Sequence, residues 1–104
     1  MNTGAEELLN GGDAEITRLR LEIDAVDRAI VEAFALRVEI GRRIGETKLE
    51  RGQPVLDPVR EAAVVRRSAE RARDAGLDEE TVREIFWRLV GLSRRTQRDE
   101  RGNP

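Results

Sequence analysis

Residues 13–51 decide the fold, and they read DAEITRLRLEIDAVDRAIVEAFALRVEIGRRIGETKLER. Apolar residues recur along this stretch at steps of three and four, with no intervening Pro: Ile16, Leu19, Ile23, Val26, Ile30, Ala33 or Phe34, Ile40 and Ile44. This spacing predicts one long amphipathic helix. Such a helix is more than roughly 50 Å long, whereas a compact domain of about 100 residues has a radius of gyration near ~13 Å. One copy of the chain cannot cover the apolar stripe, so we expect an oligomer.

Arg37 interrupts that stripe. At intervals of seven, the series Ile16, Ile23, Ile30, Arg37, Ile44 has an arginine where the pattern requires an isoleucine. The side chain is therefore expected to point at the core or at a molecule bound there. Periodicity leaves two roles open, an ion pair with a core carboxylate such as Asp27 and a contact with a ligand.

Composition limits the fold class and the chemistry. The chain has 104 residues, 38% of them apolar and 38% charged, with only three aromatic residues, which favours one domain of helices packed on helices. It has no Cys and no His, which excludes disulfides, thiol nucleophiles and the commonest general base, and we expect no metal. The net charge of -2, with both signs mixed, argues against nucleic-acid binding. No signal peptide or membrane span is recognisable, so a cytoplasmic location is expected.

The chain divides into a tail, a helical domain and a frayed end. Residues 1–12 contain three Gly and little periodicity, which predicts a flexible tail. Residues 13–100 form the predicted domain, and residues 101–104 the frayed C-terminus. Asp13 is the expected N-cap of the first helix, which should end near Arg51 and Gly52.

Two further helices follow. Asp57 and Pro58 mark the start of the second helix, because Asp caps free amides and Pro suits the first helical position. The second helix is predicted over residues 58–75, ends at Gly76, and carries small apolar side chains that suit close packing. Asp78 should cap the third helix, whose apolar stripe comprises Val82, Ile85, Phe86, Leu89, Val90 and Leu92.

Several polar residues fall on or beside the apolar stripes, and most are cations: Arg20, Arg37, Lys48, Arg60, Glu61, Ser93 and Gln97. Burying unpaired cations is costly, and this set supplies only one carboxylate, so the pattern favours a small dianionic ligand. Other roles stay open for each member. Arg20 and Lys48 can be solvated flanking side chains, Glu61 can complement the helix dipole, and Ser93 and Gln97 can mark a fraying helix end.

Four strings carry a resemblance to a known family: LRLEIDAVD (19–27), IGRRIGETK (40–48), PVLDPVRE (54–61) and LSRRTQ (92–97). They resemble the all-helical chorismate mutases, small enzymes that convert chorismate to prephenate. The resemblance runs without gaps over residues 20–97, about three-quarters of the chain. The family's pocket residues fall on eight positions, all with the family's identities: Arg20, Arg37, Lys48, Asp57, Arg60, Glu61, Ser93 and Gln97.

The resemblance implies an all-α fold of three helices and an intertwined homodimer in which Arg20 reaches the partner's site. The implied reaction is a Claisen rearrangement, which needs no cofactor, acid, base or nucleophile. Arg20 and Arg37 would clamp the two substrate carboxylates, assisted by Arg60 and Ser93. Lys48 and Gln97 would donate to the ether oxygen. Glu61 and the backbone amide of Asp57 would hold the ring hydroxyl.

One departure and several alternatives accompany the resemblance. Position 94 is Arg where a well-known member of the family has an apolar residue, and we expect it either to add a cation at the mouth of the site or to point to solvent. Relatives on the same scaffold rearrange 4-amino-4-deoxychorismate or eliminate pyruvate from isochorismate. Some mutases are activated by another shikimate-pathway enzyme, and such a partner stays open here. The non-enzyme alternative is a helical dimerisation module whose cations form salt bridges between chains.

Overall fold

Three α-helices build the chain. The structure, a computed structural model, describes the backbone of residues 13–100 and the side chains of residues 13–96. This part of the chain contains α1 (Asp13–Glu50), α2 (Pro58–Asp74) and α3 (Glu79–Glu100), and no strand. The predicted all-α class with one long first helix is confirmed, and the first two helices end within one residue of the predicted positions. The predicted tail, residues 1–12, and the predicted frayed end, residues 101–104, lie outside the described residues.

Two of the three predicted N-caps, Asp57 and Asp78, are confirmed; Asp13 is the first described residue of α1, and its capping role stays a prediction. The Asp57 carboxylate accepts a hydrogen bond from the Arg60 amide at 3.1 Å, and Pro58 opens α2. The Asp78 carboxylate accepts one from the Thr81 amide at 2.9 Å at the start of α3. Each carboxylate satisfies an amide that has no partner inside its own helix, and so fixes where that helix begins.

Glycine in the left-handed conformation follows α1 and α2. Gly52 has φ of 67° and Gly76 has φ of 75°, values that residues with a Cβ rarely adopt. The Gln53 amide then donates to the Lys48 carbonyl at 2.8 Å, and the Leu77 amide donates to the Ala72 carbonyl at 2.8 Å. These are Schellman turns, which satisfy the last carbonyls of each helix. The first of them turns residues 53–57 back beside the last turn of α1.

Contacts divide the chain into two units that meet within α1, at residues 33 and 34. The described part of the first unit is residues 13–33. Its apolar stripe is uncovered in a single chain, since its members keep between 43% and 58% of their surface exposed: Ile16, Leu19, Ile23, Val26 and Ile30. Within residues 13–100, no helix combines the length and the apolarity needed to cross a membrane.

The second unit, from residue 34 onward, holds the core between α2 and α3. The predicted close packing of small side chains is confirmed, because Ala69 is 1% exposed and Ala72 is 3% exposed. They lie on the α2 face that meets α3, whose Leu89 and Val90 are buried. Other apolar residues of α3 stay partly open, so its apolar stripe is wider than the face that one chain buries.

Candidate active site

Within the second unit, α1, α2, α3 and the loop after α1 line a cavity of about 440 Å³. The α1 side chains face it because they are spaced three or four positions apart, which places them on one side of a helix. The loop and the first turns of α2 add polar groups next to apolar ones, and so does α3. The lining residues are Arg37, Ile40, Gly41, Ile44, Lys48, Val55, Asp57, Arg60, Glu61, Val64, Val90, Ser93 and Arg94.

Arg37 joins α1 to α3 on the cavity wall. Its Nη1 donates to Ser93 Oγ at 3.2 Å, and Ser93 is only 8% exposed. Burial, and after it the nearby charge of Arg60, lower the pKa of the Arg37 guanidinium below its ordinary value. Among the side chains that the structure describes, the hydrogen-bond partner of Arg37 is this hydroxyl, so the alternative of an ion pair with Asp27 is wrong for the single chain. A cation that neighbours another cation favours an incoming anion.

Lys48 lies at the end of α1, where the chain turns back. The residue is partly buried, and its Nζ donates to the Val55 carbonyl at 3.4 Å. An ammonium group has three protons to donate, so most of its hydrogen-bonding capacity is left for a ligand in the cavity. The Schellman turn at Gly52 produces this arrangement, because it brings the Val55 carbonyl back beside α1.

Arg94 occupies the position that the sequence left ambiguous. Its Nε donates to Glu61 Oε2 at 3.3 Å and its Nη2 donates to Glu61 Oε1, which makes a two-pronged ion pair between α3 and α2. The hydrogen bonds that Arg94 donates to Glu61, followed by the negative charge of that carboxylate, raise the pKa of Arg94. The expectation that Arg94 points to solvent is wrong, because its guanidinium pairs with Glu61 on the cavity wall and only 35% of the side chain is exposed. The register of α2 against α3 creates this contact.

The cavity carries an excess of positive charge. Four cationic side chains and two carboxylates line it. Both carboxylates are already engaged, since Asp57 caps α2 and Glu61 pairs with Arg94. Within residues 13–96, no carboxylate lies within ion-pair distance of Arg37, Lys48 or Arg60. The arrangement can therefore accept two negative charges, which is the electrostatic requirement of a small dicarboxylate.

The structure gathers six of the eight residues singled out from the sequence around this cavity: Arg37, Lys48, Asp57, Arg60, Glu61 and Ser93. Arg20 is exposed and belongs to the first unit. Gln97 lies in α3 one turn after Ser93, and its side chain is outside the described part. No three His, Cys, Asp or Glu side chains in the described range are grouped closely enough to hold a metal ion.

Comparison with known proteins gives one family. The family model described as chorismate mutase type II matches residues 19–98. The chain is 31% identical over 87 residues to the T-protein of Enterobacter agglomerans, an alignment that covers 84% of this chain and 23% of that protein. It is 40% identical over 65 residues to the 4-amino-4-deoxychorismate mutase of Streptomyces venezuelae, covering 62% of this chain and 63% of that one.

A third relative matches over most of its length. The chain is 26% identical over 84 residues to the chorismate mutase of Methanocaldococcus jannaschii, covering 81% of this chain and 85% of that enzyme. The chain thus spans less than a quarter of the T-protein and less than two thirds of the Streptomyces enzyme. No solved structure matches the chain significantly.

Proposed function

The chain belongs to the chorismate mutase type II family, and from this premise we propose that it catalyses the Claisen rearrangement of chorismate to prephenate. The observation that carries the proposal is the set of three cations, Arg37, Lys48 and Arg60, that surround one cavity without carboxylate partners among the described residues. Chorismate is a small dianion, and its binding supplies the charge that these side chains lack.

The reaction breaks a carbon–oxygen ether bond while a carbon–carbon bond forms, and no proton is transferred. The protein has to hold the compact conformer of a flexible substrate and stabilise the negative charge that grows on the ether oxygen. Fixed cationic donors serve both purposes. This is chemistry that a chain without His or Cys can perform.

Arg37 and Ser93 bind one substrate carboxylate. The guanidinium is already held toward Ser93 by the 3.2 Å hydrogen bond, so little side-chain entropy is lost when a carboxylate arrives. Arginine's planar fork matches a carboxylate, and Arg60 on α2 adds a second positive charge close by. Two clamped carboxylates select the reactive conformer, which replaces an entropic barrier with binding energy.

Lys48 donates to the ether oxygen, together with Gln97 on α3. A million-fold acceleration corresponds to about 8 kcal/mol, and each preorganised donor of this kind is worth about 3 to 4 kcal/mol. Two donors and conformer selection therefore account for an effect of that size. Glu61 and the Asp57 backbone amide hold the ring hydroxyl on the opposite side of the substrate.

The active form is a homodimer, and Arg20 of each chain serves the partner's site. The open apolar stripe of residues 13–33 supports this assembly, since five large side chains there keep 43% or more of their surface exposed in one chain. Burying such a stripe against a second copy gives an isologous interface with two equivalent sites. Arg20 then completes the clamp on the second carboxylate. A cytoplasmic location stays a prediction from the sequence.

A second candidate, 4-amino-4-deoxychorismate mutase, is favoured by one observation, the 40% identity to the Streptomyces venezuelae protein. The test is to incubate the purified protein separately with chorismate, 4-amino-4-deoxychorismate and isochorismate, to follow substrate absorbance, and to identify products by NMR. Prephenate from chorismate, lost in Arg37→Ala, supports the proposal. Turnover of only the amino compound, or pyruvate release from isochorismate, replaces it with the corresponding alternative. Absence of all three activities favours a dimerisation module.

A further inference from the structure

Glu61 and Arg94 form an ion pair on the wall of the cavity. This pair shares no hydrogen bond with the contact between Arg37 and Ser93 among the described side chains. Both prongs of the Arg94 fork meet the Glu61 carboxylate, one of them as a 3.3 Å hydrogen bond from Nε to Oε2. The Glu61 side chain is 18% exposed and that of Arg94 is 35% exposed, so the pair is partly shielded from water. Its charge is therefore screened less than that of a surface pair.

We infer that the Arg94–Glu61 pair makes the site selective for a substrate whose ring carries a neutral hydroxyl over one that carries an ammonium at the same position. This selectivity rests on the proposed function, in which Glu61 receives that ring substituent. Arg94 is then a positioning residue that acts through Glu61 and sets substrate specificity.

The reason is the charge that an incoming group meets. An unpaired Glu61 carboxylate attracts an ammonium strongly and a hydroxyl less strongly. With Arg94 in place, the carboxylate is neutralised, and two of its roughly four acceptor positions are occupied. The remaining positions can still accept the proton of one hydroxyl. An ammonium gains little there and is repelled by the guanidinium a few ångströms away.

Arg94 also fixes the Glu61 side chain. A carboxylate held by a two-pronged contact has one orientation, which suits a hydroxyl donor that approaches from a defined direction. An apolar residue at position 94 leaves Glu61 charged, unpaired and free to turn toward a cationic substituent. The identity of residue 94 thus changes both the net charge on this side of the cavity and the freedom of the Glu61 side chain to rotate.

The experiment compares kcat/KM for chorismate and for 4-amino-4-deoxychorismate in the wild type, Arg94→Leu, Arg94→Lys and Arg95→Leu. In Arg94→Leu, the ratio of the two values should fall by about tenfold or more, mainly through a gain on the amino substrate, because a nearby like charge is removed. Arg94→Lys keeps the positive charge and should keep most of the preference. Arg95 is the neighbouring exposed arginine outside the cavity, so Arg95→Leu should leave the ratio unchanged.

A pH series on the wild type adds a readout that needs no variant. An aliphatic amine loses its charge at alkaline pH. Discrimination against the amino substrate should therefore shrink as the pH rises through the pKa of the substrate amine, whereas a purely structural role for Arg94 leaves it constant.

The outcomes separate the two proposals. A wild type that is active on chorismate, with a ratio that neither Arg94→Leu nor pH alters, overturns the selectivity and leaves the proposed function standing. A parallel loss on both substrates in Arg94→Leu, with a pH-independent wild-type ratio, also overturns it. A wild type that prefers the amino substrate, or acts on neither, overturns both.

Discussion

Replacing Lys48 by Ala should lower kcat strongly while lowering Tm only slightly. Lys48 is the only lysine of the sequence, and its Nζ has a single acceptor in the described structure, the Val55 carbonyl at 3.4 Å. In the proposed mechanism the other protons of the ammonium group meet the ether oxygen as negative charge develops. Lys48→Ala removes that donor and a full positive charge from the cavity.

The two expected magnitudes differ clearly. Loss of one donor to a developing oxyanion lowers kcat by about 10² to 10³, which corresponds to about 3 to 4 kcal/mol. The contact with the Val55 carbonyl is near the length limit of a hydrogen bond, so its loss costs at most about 1 kcal/mol of the free energy of unfolding. For a chain of this size that corresponds to a fall in Tm of no more than about 4 to 8 °C.

The assay is steady-state chorismate consumption with kcat and KM separated, together with thermal unfolding followed by circular dichroism. Lys48→Gln, which retains a donor without the charge, should fall between the wild type and Lys48→Ala. Arg43→Ala is the matched control, since Arg43 is an exposed cation on the same helix and does not line the cavity. If Lys48→Ala raises KM and leaves kcat unchanged, the ammonium binds a ground-state carboxylate and the assigned role is wrong.

Three further predictions concern assembly and acid stability. Thermal unfolding should shift to higher temperature as protein concentration rises, because dimerisation covers the stripe of residues 13–33, and a stable folded monomer in sedimentation contradicts this. Arg20→Ala and Arg37→Ala should each be nearly inactive, yet refolding them together in equal amounts should restore about a quarter of wild-type activity, because half of the random dimers contain one intact site. Persistent inactivity of proven heterodimers refutes the shared site. Hydrogen bonds from the Thr81 hydroxyl, and after it from the Thr81 amide, hold the pKa of Asp78 below its usual 3.8. The wild type should therefore have a higher Tm than Asp78→Asn at neutral pH, and this difference should disappear as the pH falls below that value. A Tm difference that does not change with pH argues against a stabilising role for the Asp78 charge.

The helices could be predicted because their determinants are local. Asp57 and Asp78 cap helices through contacts with amides three residues away, and Gly52 and Gly76 end them by adopting a conformation that other residues avoid. No knowledge of the tertiary structure is needed for any of these four positions. The long apolar stripe of α1 is equally predictable, because helical periodicity depends only on spacing along the chain.

The Glu61–Arg94 pair could not be predicted in the same way. The two residues are 33 positions apart and meet because small side chains on α2, such as Ala69, let α3 approach closely in one particular register. A shift of α3 by one residue turns its side chains by about 100° around the helix axis and removes the contact. The sequence signal is limited to a cation next to Ser93 in the chain.

Arg37 combines a local signal with a contact between helices. It is noticeable in the sequence because it interrupts the isoleucine series of α1. A leucine or isoleucine there satisfies the stripe at no electrostatic cost, whereas the arginine keeps its charge in a partly buried position that lowers its pKa, beside a second cation. Natural proteins place residues that do not fit the local pattern at functional positions, and such residues lower the free energy of unfolding. The break in the isoleucine series therefore indicates a residue that lines the cavity. The structure adds the Ser93 hydroxyl that holds the guanidinium and the Arg94 guanidinium that neutralises Glu61. Both contacts depend on how the helices pack, which spacing along one helix does not contain.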